Sequence, residues 1–239
     1  YQQTLLGPVW VLMQPILTVT MYVIVFNRML NISTLDAPPI LFYLTGITLW
    51  SLFSDIFLGT ASTFVQNADV FNKVFFPRII APLSVMLLHC IRFLIQLALL
   101  IIVLLYYYFQ GVVELPVSTF LISVPVVIVT ALLGLGGGLI FSVITAKYRD
   151  LSNLLSLFIG LLMFACPIFY PLAFLYQKVQ WLVYANPLSS LFELFRYAFL
   201  GKGEFSMLHI AYSIAMMVVL VASGFLLFNK KGDELMDVV

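Results

Sequence analysis

Charged side chains are scarce in this sequence. Lys, Arg, Asp and Glu make up 9% of its 239 residues, whereas 63% are hydrophobic. A soluble domain carries about 25% charged residues, so this chain cannot surround a folded core with a water-facing surface. Its eleven basic and ten acidic residues nearly cancel, to a net charge of +1. Without a basic stripe or a positive excess, nucleic acid is excluded as a partner.

Residue types that commonly carry catalysis or hold metals are also few. Cys90 and Cys166 lie in separate apolar runs, which excludes a disulfide framework and a metal-ligand spacing. His89 and His209 are isolated, and the sequence contains no HExxH motif and no pair of carboxylates at catalytic spacing. We therefore expect no catalytic residue, no metal site and no cofactor bound by this chain.

A phosphate-binding loop is missing from the sequence as well. The Gly-rich run at 134–138 lacks the Lys of the GxxxxGK[ST] motif, so we do not expect the chain to hydrolyse ATP. Small residues in a membrane helix let a neighbouring backbone come close. We interpret the glycines as a packing surface, with a hinge as the alternative.

Long uncharged stretches dominate what is present. A membrane span needs about 20 apolar residues, and its backbone must be hydrogen-bonded internally, which favours helices. The sequence therefore predicts an all-α integral membrane protein, one transmembrane domain over residues 1–239 with six spans. Their approximate bounds are 8–27, 40–62, 82–109, 117–145, 152–171 and 206–228.

The basic residues between the spans predict the orientation of the chain. Loops on the cytoplasmic side carry an excess of Lys and Arg, so we expect both termini to be cytoplasmic. The basic residues then expected inside are Lys73, Arg78, Lys147, Arg149, Lys230 and Lys231. Those expected outside are Arg28, Lys178, Arg196 and Lys202.

Two charged residues, Asp55 and Arg92, lie within predicted spans. A charge at membrane depth is costly and usually marks a functional site or a paired partner. For Arg92 the alternative is that its long side chain reaches the membrane surface. For Asp55 a functional role and a place near the membrane surface remain equally open.

One face of the second span is aromatic. Tyr43, Trp50, Phe53 and Phe57 are separated by seven, three and four residues, which places them along one side of a helix. Such rings offer flat surfaces on which sugars can stack. The alternative is a packing or lipid-facing stripe.

The segment between the fifth and sixth spans is apolar but interrupted. Residues 181–200 contain Asn186-Pro187 and the charged Glu193 and Arg196, so the segment is expected not to span. Glu193 and Arg196 are three residues apart and could pair on a helix. The alternative is that both charges face water on a solvated helix surface.

Several short motifs follow one another along the sequence. They are LGPVW at 6–10, QP at 14–15, FPR at 76–78, YRDL at 148–151, PIFY at 167–170 and NP at 186–187, followed by Arg196. Taken in order, these motifs resemble the permease subunit of bacterial ABC polysaccharide exporters. The resemblance covers nearly the whole chain, and its most specific elements are the opening LGPVW and the FPR after the second span.

The resemblance implies a function and a set of partners. Two copies of such a permease and two copies of a separate ATPase subunit, which binds ATP and Mg, move a lipid-linked polysaccharide across the bacterial plasma (inner) membrane. O-antigen is favoured over teichoic acid or capsule. The alternatives are an ABC permease for drugs or lipids and, from another class, a membrane-embedded glycolipid transferase.

The resemblance also implies roles for particular segments. An amphipathic helix is expected to precede the first span and to be missing here. A cytoplasmic coupling helix that docks on the ATPase is implied for Asn67, Asp69, Val70, Phe71, Lys73, Val74, Phe76, Pro77 and Arg78, with a helix lying on the membrane surface as the alternative. Short external re-entrant helices that gate the exit are implied around Trp181, Asn186, Pro187, Glu193 and Arg196.

Overall fold

The computed structural model describes residues 9–66, 77–148, 150–172, 177–203 and 205–235. Throughout these ranges the regular secondary structure is helical, without a strand. The helices are α1 Val9–Tyr22, continued by a π-helical segment Val23–Met29, α2 Pro39–Ala61, α3 Thr63–Gln66, α4 Ile80–Phe109, α5 Ser123–Lys147, α6 Leu151–Leu162, α7 Gln177–Tyr184, α8 Pro187–Leu200 and α9 Met207–Leu235.

Five helical stretches are long and apolar enough to cross a membrane. They are Trp10–Met29, Pro39–Ala61, Ile80–Phe109, Phe120–Lys147 and Met207–Lys230. The predicted all-α membrane fold is thus confirmed. The predicted span 152–171 instead corresponds to the shorter apolar stretch Leu151–Ala165, so the count of six spans stays a prediction.

The contacts of α8 show how the chain runs between α5 and α9. Both long helices begin near α8, because the ring of Phe120 lies 5.2 Å from that of Phe199 and the hydroxyls of Ser213 and Ser190 are 2.7 Å apart. Since α5 and α9 pack side by side, they also end on the same side of the bundle. The chain between these helices must therefore return across the bundle, and α6 with the loop after it begins that return.

Glycine brings α5 and α9 into backbone contact. A Cβ atom added at Gly136 would lie 2.7 Å from the carbonyl carbon of Leu220 and from the backbone nitrogen of Val221. A Cβ added at Gly224 would lie 2.6 Å from the carbonyl oxygen of Gly136. Real Cβ contacts are never so short, so only glycine permits this crossing. The interpretation of the Gly-rich run as a packing surface is confirmed here.

The same run packs α5 against α2 on another side. A Cβ at Gly137 would lie 2.6 Å from the ring of Phe57, and one at Gly138 would lie 2.6 Å from the Cβ of Thr60. Thr145 donates a hydrogen bond of 2.6 Å to the carbonyl of Ala61 near the end of both helices. Together α2, α5 and α9 form a tightly packed core, and α1 and α4 lie against α2 at its edge.

Replacing Gly136 by Ala is expected to destabilise the protein. The added methyl group must push α5 and α9 apart, and overpacking of this kind costs about 1–3 kcal/mol. Gly160→Ala is the matched control, because nothing lies within 4 Å of a Cβ built at that exposed helical position. Thermal unfolding in detergent should show a lower Tm for Gly136→Ala and no loss for Gly160→Ala. Equal Tm values for Gly136→Ala and the wild type would contradict the close crossing.

Candidate functional site

The Asn186-Pro187 pair begins helix α8 rather than merely interrupting an apolar run. The Asn186 side-chain oxygen accepts a 3.0 Å hydrogen bond from the backbone N–H of Leu188, and Pro187 takes the first helical position. Asn at the cap and Pro at the first position both favour helix initiation. At the other end, Gly201 adopts a left-handed conformation with φ of 64°, which ends α8. The sequence therefore fixes both ends of this helix.

Within α8, Glu193 and Arg196 form a fully buried ion pair. Nη1 of Arg196 donates to Oε1 of Glu193 at 2.7 Å, and both side chains are 1% exposed. The predicted pairing is confirmed, and the alternative of a solvated helix surface is wrong. The pair is buried because α8 packs into the bundle rather than lying on it.

Further contacts connect this ion pair to two other parts of the chain. Nη2 of Arg196 donates to the carbonyl oxygen of Pro167 at 2.6 Å, and its guanidinium lies 3.9 Å from the centre of the Phe42 ring. The backbone N–H of Leu172 donates to Oε1 of Glu193 at 3.4 Å. We call these five residues the α8 ion-pair cluster. It joins the start of α2, the loop after α6 and α8.

Of the other residues predicted for an external gate, Asn186 lies close to this cluster and Trp181 lies on the surface. The amide of Asn186 donates to the sulfur of Cys166 at 3.2 Å, so it contacts the same loop as Arg196. Trp181, in contrast, is 66% exposed and stands on the surface of the short helix α7. The gating role of these residues stays a prediction.

The aromatic residues of α2 are buried within the single chain. Tyr43, Trp50, Phe53 and Phe57 are each at most 6% exposed. The rings of Trp50 and Phe53, and those of Phe53 and Phe57, are 5.7 Å apart. In this arrangement they contribute to packing between helices, so the stripe does not present an open stacking surface. A role in lining a path for sugars stays a prediction.

A groove follows the seam between α2 and α4 along most of their length. It contains three cavities of about 590, 440 and 450 Å³. The first two share Asp55, whereas the second and third lie against opposite faces of α1. We call it the α2–α4 groove. The first cavity reaches Gln66 at the end of α3, the second contains Arg92, and the third ends at Arg28.

The first cavity has a mixed polar and apolar lining, the second is mainly polar, and the two meet at Asp55. Its carboxylate lies 3.8 Å from Nδ1 of His89, and Arg92 is close enough to attract it electrostatically. Arg92 is itself exposed. Both charged residues identified from the sequence thus belong to one groove, and α4 places Arg92 about 18 Å along its axis from Ile80.

Most of the predicted coupling helix lies outside the described residues. This applies to Asn67, Asp69, Val70, Phe71, Lys73, Val74 and Phe76. Pro77 and Arg78 are described and lead into α4, where their carbonyl oxygens accept hydrogen bonds from the N–H groups of Ile80 and Ala81. Pro77 is exposed and Arg78 is partly buried. Their role in coupling stays a prediction.

Sequence reasoning missed several polar residues of the groove and two partners of the ion pair. Gln96 could have been found, because it follows Arg92 by four residues and therefore shares its helix face. Gln14 sits on α1, and nothing in the sequence indicates that α1 crosses the groove at this point. Phe42 and Pro167 are likewise brought to Arg196 only by the tertiary fold.

Comparison with known proteins places the chain among membrane transporters. The sequence profile of the ABC-2 type transporter family matches residues 1–200. The O-antigen export system permease protein RfbA of Klebsiella pneumoniae is 26% identical over 232 residues, covering 96% of this chain and 86% of the relative. A Myxococcus xanthus protein of the same name is 26% identical over 236 residues, covering 98% and 88%.

Breaking the buried ion pair is expected to be costly. Glu193→Gln or Arg196→Gln alone leaves a buried charge or its partners unsatisfied, which costs about 3–5 kcal/mol. The double variant Glu193→Gln/Arg196→Gln should lose less than the sum of the two single changes. Unfolding in detergent measures all variants, with Lys202→Gln at an exposed position as the control. Strict additivity in this cycle would argue against coupling between the two side chains.

Proposed function

Because the chain belongs to the ABC-2 type transporter family, we propose that it is the membrane-spanning subunit of an ATP-driven exporter. Its cargo is a lipid-linked polysaccharide, with O-antigen as the favoured polymer, and it works in the bacterial plasma membrane. The observation that carries this proposal is the family match. The matched residues, 1–200, include those that form the α2–α4 groove and the α8 ion-pair cluster. The names of relatives that cover 96–98% of the chain support the choice of cargo.

The geometry of the groove supports an amphipathic cargo. Its first two cavities contain the ionisable side chains of Asp55, His89 and Arg92, whereas the third is lined mainly by aliphatic side chains. All three lie along helices long enough to cross a membrane. A molecule with a charged head and a hydrocarbon tail matches this change from polar to apolar surface.

The proposed assembly contains a second copy of this chain and two copies of an ATPase subunit. The second copy follows from the resemblance of the sequence to the permeases of bacterial ABC polysaccharide exporters, which work as pairs. ATP and Mg bind to the ATPase subunits, and this chain changes conformation in response. Both termini lie in the cytoplasm in this arrangement, which follows from the distribution of Lys and Arg in the sequence.

The segment 67–78 is proposed as the docking element for the ATPase. In the sequence it connects α3, whose last residue Gln66 lines the first cavity of the groove, with α4. Its sequence combines Asp69 and Lys73 with apolar side chains such as Phe71. A small interface with a buried aromatic centre has this composition.

Deleting the gene for this chain is expected to stop export of the polysaccharide. Surface glycan should disappear while lipid-linked glycan accumulates inside the cell, because the membrane passage is lost. The measurement is surface immunolabelling together with analysis of the internal lipid-linked pool, and a plasmid copy of the wild-type gene should restore both. Loss of drug resistance with normal surface glycan would instead favour a drug permease and contradict the proposal.

Cysteines at positions in the docking element should crosslink to the ATPase. Single cysteines placed at Val70, Phe71 and Val74 are expected to react with the ATPase subunit, in yields that change when nucleotide binds. A cysteine at the exposed Trp181 serves as the control and should give no such product. Labelling of the three positions only by a lipid-phase reagent would show a helix lying on the membrane instead.

A further inference from the structure

We propose that the second cavity of the α2–α4 groove binds the phosphate group of a membrane lipid, with Arg92 as its principal contact. The proposal deepens the exporter function above and rests on it for the identity of the cargo. The ligand class is a phosphate or diphosphate ester carrying a long hydrocarbon chain. The cavity of about 440 Å³ is of the size that holds small ligands.

Several hydrogen-bond donors converge on this cavity without partners. Arg92, Gln96 of α4 and Gln14 of α1 all line it. Within the described part of the chain, the Arg92 guanidinium has neither a hydrogen bond nor an ion pair within 4.0 Å, and the amide nitrogens of the two glutamines have no acceptor. Ser51 donates to the side-chain oxygen of Gln96, which leaves the nitrogen of that amide to donate into the cavity.

A lipid phosphate supplies what these donors need. A phosphate group offers only acceptor oxygens, and the planar guanidinium matches two of them at once. Unpaired donors at membrane depth are costly because no bulk water is present to satisfy them. The phosphate of a lipid is an abundant anion in membranes, so this partner fits the charge of Arg92, and a lipid in transit through an exporter would bring its phosphate to the depth of Arg92.

The third cavity provides a place for the hydrocarbon chain. It continues along the same face of α4, where Leu99 and Val103 follow Gln96 at helical spacing, and Val19 and Leu44 form the facing walls. The polar cavity lies nearer the end of the bundle where α4 begins. A lipid with its phosphate on Arg92 and its chain in the apolar cavity would extend past α1, which lies between the two cavities.

Among the described residues that line the cavity, Asp55 is the one with a negatively charged side chain, which repels an anion. Its carboxylate attracts Arg92 electrostatically, so it competes with a bound phosphate for the same cation. Removing the Asp55 charge should therefore strengthen phosphate binding, and this increase distinguishes the proposal from a purely structural role. If Asp55 and Arg92 were instead only a structural charge pair, removing either charge would weaken the protein and its binding alike.

The test is a binding measurement on purified full-length chain in phosphatidylcholine nanodiscs. A fluorescent polyprenyl diphosphate is the probe, and the variants are Arg92→Gln, Arg92→Lys and Asp55→Asn. We expect Arg92→Gln to weaken binding roughly tenfold or more, Arg92→Lys to retain part of it, and Asp55→Asn to strengthen it. Lys202→Gln, which removes an exposed positive charge outside the groove, is the matched control and should bind normally. Thermal unfolding of each variant reports whether it is folded.

Competition distinguishes the two sources of the phosphate. Displacement of the probe by unlabelled polyprenyl diphosphate but not by phosphatidylglycerol identifies a carrier lipid, whereas equal displacement identifies a general phospholipid headgroup. Binding that Lys202→Gln weakens as much as Arg92→Gln, or that Arg92→Gln does not weaken in a folded variant, overturns the proposal. This assay needs neither the ATPase nor transport. If it fails, the export test can still support the proposed function, and if the export test fails, phosphate binding can still be measured by itself.

Discussion

A charged or polar group inside the hydrocarbon region must find its partner within the protein or its bound ligands, and this constraint organises both polar regions of the fold. At the α8 ion-pair cluster, Glu193, a backbone carbonyl and an aromatic ring surround the guanidinium of Arg196, which is 1% exposed. In the α2–α4 groove, Arg92 remains exposed. One arginine is therefore enclosed by the chain itself, whereas the other is left for something that the chain does not contain.

Helix α2 packs differently against its neighbours on two sides. On one side, its residues meet the glycines of α5 so closely that no additional methyl group fits. On another side, α4 and α1 leave cavities along the seam. Close contact is also present on this seam, because a Cβ added at Gly59 of α2 would lie 2.7 Å from the side chain of Val85 of α4. The cavities therefore alternate with tight packing between α2 and α4.

Hydropathy predicts the long spans because their length and apolar composition are local properties of the sequence. It is less informative for Leu151–Ala165, where a helix too short to span continues as a loop whose path depends on α8. The spacing of Glu193 and Arg196 predicts their pairing, because residues three apart on a helix are neighbours. It does not predict burial of the pair, which comes from Phe42 and Pro167. The aromatic spacing on α2 likewise defines a face, but only the fold shows what that face meets.

The lengths of α2 and α4 differ in a way that concerns the lipid bilayer itself. α4 has 30 residues and is about 45 Å long, compared with about 30 Å for a typical hydrocarbon core. α2 has 23 residues and fits that thickness more closely. Hydrophobic mismatch of this size is relieved by helix tilt or by local thickening of the bilayer. Because the groove is the seam between these two helices, the thickness of the surrounding membrane becomes a physical variable that sets their crossing angle and hence the width of the groove.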